Sequence, residues 1–472
     1  MNYNELGFKC GLECHQQLEG RKLFCHCPTL VNDDSKPDLV IKRKLRTTAG
    51  EMGKIDETAK FEMKRDRRFI YEACSTSSCL IELDEEPPLE VNKEALETAL
   101  QVALLTNSKI VDEIQFMRKT VIDGSNVSGF QRTALIAVDG EIKTSKGIVK
   151  IPTICLEEES AKKITENENE VYYRLDRLGV PLIEIATDAS LKDSEHAKEA
   201  AAIIGMILRS TGKARRGLGS IRQDVNISIK GHPRVELKGF QDLRSIPITV
   251  ENEVKRQLEN LKKKELKSEV RKVNPDFTST FLRPMPGASR MYVETDTKTI
   301  KITKEITSKI KIPELLTEKA IKLEKKYKLN PDLAREVIEV PYFEEFASKF
   351  RIEPNYIAQV LVEIPKELKS RFNVESYNLK QTDFYFVLNA LSEGKISKSA
   401  VLDILKELAQ GKKVVLNNYK VVDDKQLENH IKEILKKNPG APFNALMGEV
   451  MKQLKGKVDG KKASELIKKL LK

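Results

Sequence analysis

Strand-like periodicity stops at about residue 311, which excludes any fold that runs a sheet through the whole chain. From there to Lys472 helical segments follow one another. They are broken at Asn330-Pro331, Glu353-Pro354, Gly394, Gly411 and Asn438-Pro439-Gly440, residues that end helices and open turns. Before residue 311 the pattern is mixed. Aliphatic or alternating runs predict strands at 7–18, 110–122, 133–156, 180–187, 221–230 and 234–238. Apolar spacing of 3.6 residues predicts helices at 92–105, 195–210 and 247–264, the second capped by Asp193 and Ser194. The expectation is an α+β protein. A mixed α/β cradle occupies residues 1–305, an all-α domain 311–412 and a small α-helical tail 420–472, with a turn at Gly456 to Gly460 inside the tail.

The tail is also where the charge lies. The 472 residues carry a net charge of +11, and +7 of it falls between Ile431 and Lys472, with 11 lysines against 4 acids. A basic end on a mildly basic body points to a polyanionic partner, RNA before membrane, although a solvated lysine-rich surface gives the same composition. No apolar stretch approaches the ~18 residues that spanning a bilayer requires. Seven cysteines without a signal-like N-terminus read as reduced thiols in the cytoplasm.

Carboxylates interrupt the predicted strands. Glu184 sits in Val180-Pro181-Leu182-Ile183-Glu184-Ile185-Ala186, and Glu13 in Cys10-Gly11-Leu12-Glu13-Cys14-His15-Gln16-Gln17. Burying a carboxylate is costly unless it meets a cation or a proton. Alternation puts Glu13, His15 and Gln17 in one polar row. Glu157-Glu158-Glu159 ends the strand 133–156, and Glu158 is the member assigned to the site. The hairpin 221–238 adds Asp224, Asn226, Glu236 and Lys238. Alone, that hairpin reads as an ordinary solvated sheet. With Glu13, His15, Glu158 and Glu184 it makes a wall for Mg²⁺ and a phosphate-bearing substrate, Lys238 contacting phosphate and His15 acting as ligand or as support for one.

Cys25-His26-Cys27 and Cys74-Ser75-Thr76-Ser77-Ser78-Cys79 form a second constellation. Cys25, Cys27, Cys74 and Cys79 either close a tetrahedral structural Zn²⁺ site or are buried reduced thiols. The chain has no GxxxxGK[ST] loop, no GxGxxG after a strand and no HRD or DFG pair. If a nucleotide binds here, it binds on acidic residues and metal rather than in a standard loop.

Several motifs, in this order, resemble the kinase subunits of the tRNA-dependent amidotransferases. They are Gly11-Leu12-Glu13-Cys14-His15, Leu23-Phe24-Cys25-His26-Cys27, Leu156-Glu157-Glu158, Arg177 to Glu184, and Ile221-Arg222-Gln223-Asp224-Val225-Asn226. The stretches Glu72 to Cys79, Arg118 to Thr133 and Met285 to Tyr292 resemble the archaeal E-type kinase subunits of glutamyl-tRNA(Gln) amidotransferase. Leu446 to Met451, with Lys455-Gly456-Lys457, resembles the tail domain that the bacterial B type and the archaeal E type share. One departure stands out. The E type usually carries an insert resembling part of aspartyl-tRNA synthetases, and here only about twenty residues, Glu265 to Arg283, bridge its place.

The resemblance implies a cradle that phosphorylates the glutamyl side chain of Glu-tRNA(Gln) with ATP and amidates it. Glu158 and Glu184 would be Mg²⁺ ligands beside Glu13 and His15, with Asp224, Asn226, Glu236 and Lys238 on the opposing wall. It also implies an asparaginase-like glutaminase of the D type as ammonia source, in a heterodimer that assembles into a heterotetramer, and a basic tail that grips tRNA. Two alternatives stand beside this: a bacterial B-type chain that also serves Asp-tRNA(Asn), which the lost insert favours, and a catalytically silent tRNA-binding scaffold.

Overall fold

The computed structural model describes residues 2–30, 36–47, 49, 53–240, 242–287, 290–375, 378–419, 422, 424–454, 458 and 460–471. The expected turn at Gly456 to Gly460, the Lys455-Gly456-Lys457 motif, and Ala288 and Ser289 of the Met285 to Tyr292 stretch lie wholly or mainly outside these. The chain divides into two compact units, Met1–Leu315 and Leu316–Lys472.

In the first unit the strands run β1 (Lys9–Gln17), β2 (Leu39–Arg43), β3 (Arg68–Ala73), β4 (Lys109–Ile110), β5 (Glu113–Ile114), β6 (Phe116–Thr120), β7 (Phe130–Thr144), β8 (Gly147–Glu158) and β9 (Lys162–Glu166). They continue as β10 (Glu170–Arg174), β11 (Pro181–Ala186), β12 (Ile221–Ser228), β13 (Val235–Phe240), β14 (Glu269–Val273), β15 (Ser279–Pro284), β16 (Met291–Val293) and β17 (Ile300–Lys301). Its helices are α1 (Glu57–Lys64), α2 (Lys93–Leu105), α3 (Ser194–Ser210), α4 (Ser245–Lys263) and α5 (Lys304–Lys309).

Eleven strands form one sheet in the order β15-β14-β13-β12-β1-β11-β8-β7-β6-β16, with β4 beside β7. Helices α2, α3 and α4 cover one face. Cys10, Leu12 and Cys14 of β1, Ile183 and Ile185 of β11, Ile154 and Leu156 of β8, and Val225 and Ile227 of β12 point into that core. Alternation sends the intervening residues to the other face, which is where the charges lie. The start of α3 is set by a side chain: Asp193 caps it by accepting the His196 amide at 2.8 Å.

The sequence reading did not anticipate a second sheet, β2-β3-β10-β9, around Phe69, Tyr71, Val171 and Tyr173. Glu265 to Arg283, which bridges the place of the insert, is itself structured. That segment forms the antiparallel pair β14–β15 at the edge of the main sheet, against which α1 sets Phe61 edge-on to Phe281 at 6.3 Å.

The second unit is helical throughout its described residues: α6 (Leu316–Tyr327), α7 (Pro331–Val337), α8 (Phe343–Lys349), α9 (Pro354–Phe372), α10 (Gln381–Ser392), α11 (Val401–Ala409), α12 (Asp424–Lys437), α13 (Phe443–Gln453) and α14 (Gly460–Leu470). Two separate apolar cores hold it. One runs from Leu323 to Leu405 and centres on Phe343, Phe346 and Val387; the other joins Leu427, Ile431, Val450 and Ile467.

Candidate active site on the polar face of the sheet

Register builds the site. His15 faces Glu184 across β1–β11, and Glu13 faces Asp224 across β1–β12. Glu236 faces Asn226 across β12–β13. Directly opposed residues share a face, so side chains from four neighbouring strands converge. His15 Nε2 lies 3.3 Å from Glu184 Oε2. Asn226 donates to Glu13 Oε1 at 3.0 Å, and its own Oδ1 is buried without a partner. Lys238 Nζ is 2.5 Å from Asp224 Oδ2 and also bonds Glu236.

Glu158 is not part of this face. Glu184 pairs with Cys155 and Leu182 with Glu157, so the odd-numbered residues of β8 share the face of Glu184 and Glu158 turns to the other side. There it lies 3.3 Å from Arg132, which also bonds Glu294 at 2.7 Å. Glu157 takes the place expected for Glu158. It accepts from Lys119 at 2.6 Å, Thr133 at 2.9 Å and Gln131 at 3.1 Å. Lys119, absent from the expected set, reaches Glu184 as well, at 3.9 Å. Glu159 belongs to the rim, where Arg222 holds it at 2.6 Å and Gln17 at 3.0 Å.

Charge is crowded here. Burial, then the charges of Glu184 and Glu236, raise the pKa of Glu13. Burial opposes the charged form of His15, yet its bond to Glu184 and the charges of Glu184, Asp224 and Glu157 lift its pKa to about 9. Burial would raise Glu184 too, but Lys119 and His15 hold it well below the usual carboxylate range. Burial and the Glu184 charge push Glu157 up. Asp224 is depressed because Lys238 and His15 outweigh its desolvation. His15 is thereby tied to Glu184, 3.3 Å away. Lys238, expected to contact phosphate, is held by two carboxylates.

The donor set suits a hard cation. Glu13, His15 and Glu184 bring one ligand atom each within 4.8 Å of one another, as do Glu13, Asp224 and Glu236. Carboxylate oxygens at such spacing, with like charges already in conflict at Glu13 and the unpartnered Asn226 Oδ1 beside them, fit Mg²⁺ and its waters. An open cavity of about 440 Å³ continues along the same face, lined by Lys9, Gly11, Glu13, Ala186, Asn226 and Arg234 among others. Gly11 lets the Thr187-Asp188 backbone pack against β1: a Cβ there would sit 2.9 Å from the Asp188 carbonyl oxygen.

The cysteines gather differently from expectation. Cys25, Cys27 and Cys79 meet Glu82. Cys74 stands apart, its sulphur accepting from Arg174 at 3.2 Å and lying 3.8 Å from the Lys36 carbonyl oxygen. No helix among the described residues is long and apolar enough to cross a membrane.

Fold and site together define an α+β protein whose central sheet presents a carboxylate-lined face and an adjoining open cavity. The chain belongs to the GatB/GatE family. Residues 8–308 match the GatB/GatE catalytic domain and residues 341–471 the GatB domain. Its relatives include the E subunit of glutamyl-tRNA(Gln) amidotransferase from Methanosarcina barkeri, 36% identical over 624 residues, covering 100% of this chain and 98% of the relative. The same protein of Methanocaldococcus jannaschii is 36% identical over 628 residues (100% and 99%), and that of Archaeoglobus fulgidus 36% over 615 (100% and 99%). Alignments this much longer than 472 residues fit a chain that lacks the insert.

Proposed function

We propose that this chain is the tRNA-dependent amidotransferase subunit that activates the glutamyl side chain of Glu-tRNA(Gln) with ATP and converts it to an amide. The observation that carries the reading is the charged face itself, in a chain of this family. A carboxylate is a poor electrophile because oxide cannot leave. Transfer of the γ-phosphoryl group to a carboxylate oxygen breaks the bond to ADP and makes an acyl phosphate. Ammonia then attacks the carbonyl carbon, phosphate leaves with the C–O bond pair, and the nitrogen gives up a proton. Positioning and charge neutralisation dominate such a phosphoryl transfer, which suits a site of acids and ammonium groups.

Bound Mg²⁺ would neutralise charge on the transferred phosphoryl group. Glu13, Glu184, Asp224 and Glu236 are the residues to hold it. His15 and Lys119 fix the Glu184 carboxylate, Lys238 fixes Asp224 and Glu236, and Glu157 accepts from Lys119. Lys9 and Arg234 line the cavity and are the cations for nucleotide phosphates. Ammonia comes from a partner chain, an asparaginase-like glutaminase of the D type, in a heterodimer that pairs into a heterotetramer.

The test is product analysis of the purified chain with ATP, Mg²⁺ and ammonium chloride, offering glutamyl-tRNA(Gln) and aspartyl-tRNA(Asn) separately. Glutaminyl-tRNA alone, formed only with ATP and abolished without Mg²⁺, is the expected result. Asparaginyl-tRNA in addition moves the chain towards the B type, the reading that the shortened sequence favours. No product in either case, with the glutaminase partner also supplied, rejects the proposal.

A further inference from the structure

A second set of ligand-bearing side chains lies apart from the acidic face. Cys25 and Cys27 come from the segment after β1, Cys79 and Glu82 from the turns after β3. One ligand atom from each lies within 4.8 Å of the others. Cys25 Sγ is 3.0 Å from Glu82 Oε1. The Cys27 amide donates to Cys25 Sγ at 3.3 Å, and the Cys79 amide to Glu82 Oε2 at 2.8 Å. Cys25 and Glu82 are buried, Cys27 and Cys79 half-buried. Sulphurs ~2.3 Å from a tetrahedral zinc stand just under about 4 Å apart, so this spacing needs little adjustment.

We propose that Cys25, Cys27, Cys79 and Glu82 bind a zinc ion through three thiolates and one carboxylate, in a site closed to other ligands. Four anionic ligands around a divalent ion leave two excess negative charges. Lys22, wholly buried, answers one of them: its Nζ lies 3.7 Å from Glu82 Oε2 and donates to the Leu175 carbonyl at 3.3 Å. An ammonium group enters a protein interior only against such charge.

The site also joins the cysteine segments to the strand that carries Glu184. Gly179, at φ +83°, packs directly on it: a Cβ there would be 3.3 Å from Glu82 Oε1 and 3.4 Å from Lys22 Cδ. The Gly179 carbonyl accepts the Leu23 amide at 2.8 Å, and its own amide donates to the Glu159 carbonyl at 3.0 Å. Zinc thus clamps the lead-in to β11. Its role is positional, and it stands whether or not the acidic face performs the proposed chemistry.

Zinc content of the purified full-length chain, measured by mass spectrometry after passage through a weak chelator, tests this. Near-stoichiometric zinc is expected in the parent and in Cys74→Ser. Release to a chromogenic chelator should be at least tenfold faster in Glu82→Ala and slower than parental in Glu82→Cys, which completes a four-thiolate site. Cobalt reconstitution of the parent should give sulphur-to-metal charge-transfer absorption, a readout that does not depend on how a cysteine variant folds. A folded parent that holds no zinc when offered an excess overturns the proposal. So does zinc loss in Cys74→Ser with unchanged release in Glu82→Ala, or a disulfide among Cys25, Cys27 and Cys79 in the freshly purified protein.

Discussion

Glu157 and Glu158 are neighbours in the chain and belong to different environments, one beside Lys119 on the charged face and the other against Arg132 behind it. Their amides should therefore fail differently. Glu184→Gln and Glu157→Gln should both lower ATP-dependent amidation by at least a hundredfold; the thermal midpoint should move little in Glu157→Gln, whose charge Glu184 opposes, and fall in Glu184→Gln, which leaves His15 and Lys119 without their shared carboxylate. Glu158→Gln should keep the chemistry and lose on the order of 2–4 kcal/mol in urea unfolding, the cost of disturbing a buried ion pair. Equal activity loss in Glu157→Gln and Glu158→Gln would refute the assignment. Sequence alone cannot tell which of the pair shares the face of Glu184, for a physical reason. Three consecutive glutamates carry no alternation, and the phase of β8 comes from its pairing with β11 and from the bulge that shifts its register with β7 between Leu135 and Ala137. Glu13, His15 and Glu184 were legible because each stands singly among apolar neighbours. Glu82 was not, because nothing in Cys79-Leu80-Ile81-Glu82 marks an acid as a partner for sulphur.

Among elements, the strand edges of the site are tied by one ion-pair cluster. Glu159, just beyond β8, accepts from Arg222 on β12 and Gln17 at the end of β1. Burial alone would raise its pKa, but Arg222 and Arg177 hold it down at about 2. A depressed carboxylate stabilises the fold above its unfolded pKa, and that contribution disappears as pH falls through the folded value. Between about pH 4.5 and 2 the protein should lose on the order of 3 kcal/mol from this group. Urea midpoints followed from pH 6 to pH 3 should fall more steeply in the parent than in Glu159→Gln; parallel curves would dismiss the cluster as a tie. The large strands and the three helices on the sheet were readable from periodicity, since each presents one apolar face to one core. The sheet β2-β3-β10-β9 was not. Its strands are five or six residues long and dense in charge, as in Lys162–Glu166, and β3 and β10 pair in parallel across nearly a hundred residues of chain.

At the scale of the molecule, the basic residues after Ile431 belong to helices with their own apolar core, and we propose that they contact tRNA phosphates. Removing residues 420–472 should raise the KM for tRNA about tenfold or more at physiological salt, flatten its dependence on salt, and leave ATP binding intact. Unchanged tRNA affinity would move the contact elsewhere. The family resemblance accounts for the acidic face and the tail, but it also leads one to expect an insert where this chain has the β14–β15 turn. Asn274 and Thr278 close that turn with a 2.9 Å backbone bond, and Phe277 stands in the left-handed region at φ +64°. The ends of the two strands at this turn are held a few ångströms apart, on the rim of the sheet, where β14 pairs inward with β13 and β15 closes the edge. A domain could enter or leave there with its two termini already side by side, so chains of 472 and of more than 600 residues can share one cradle without any strand changing neighbours.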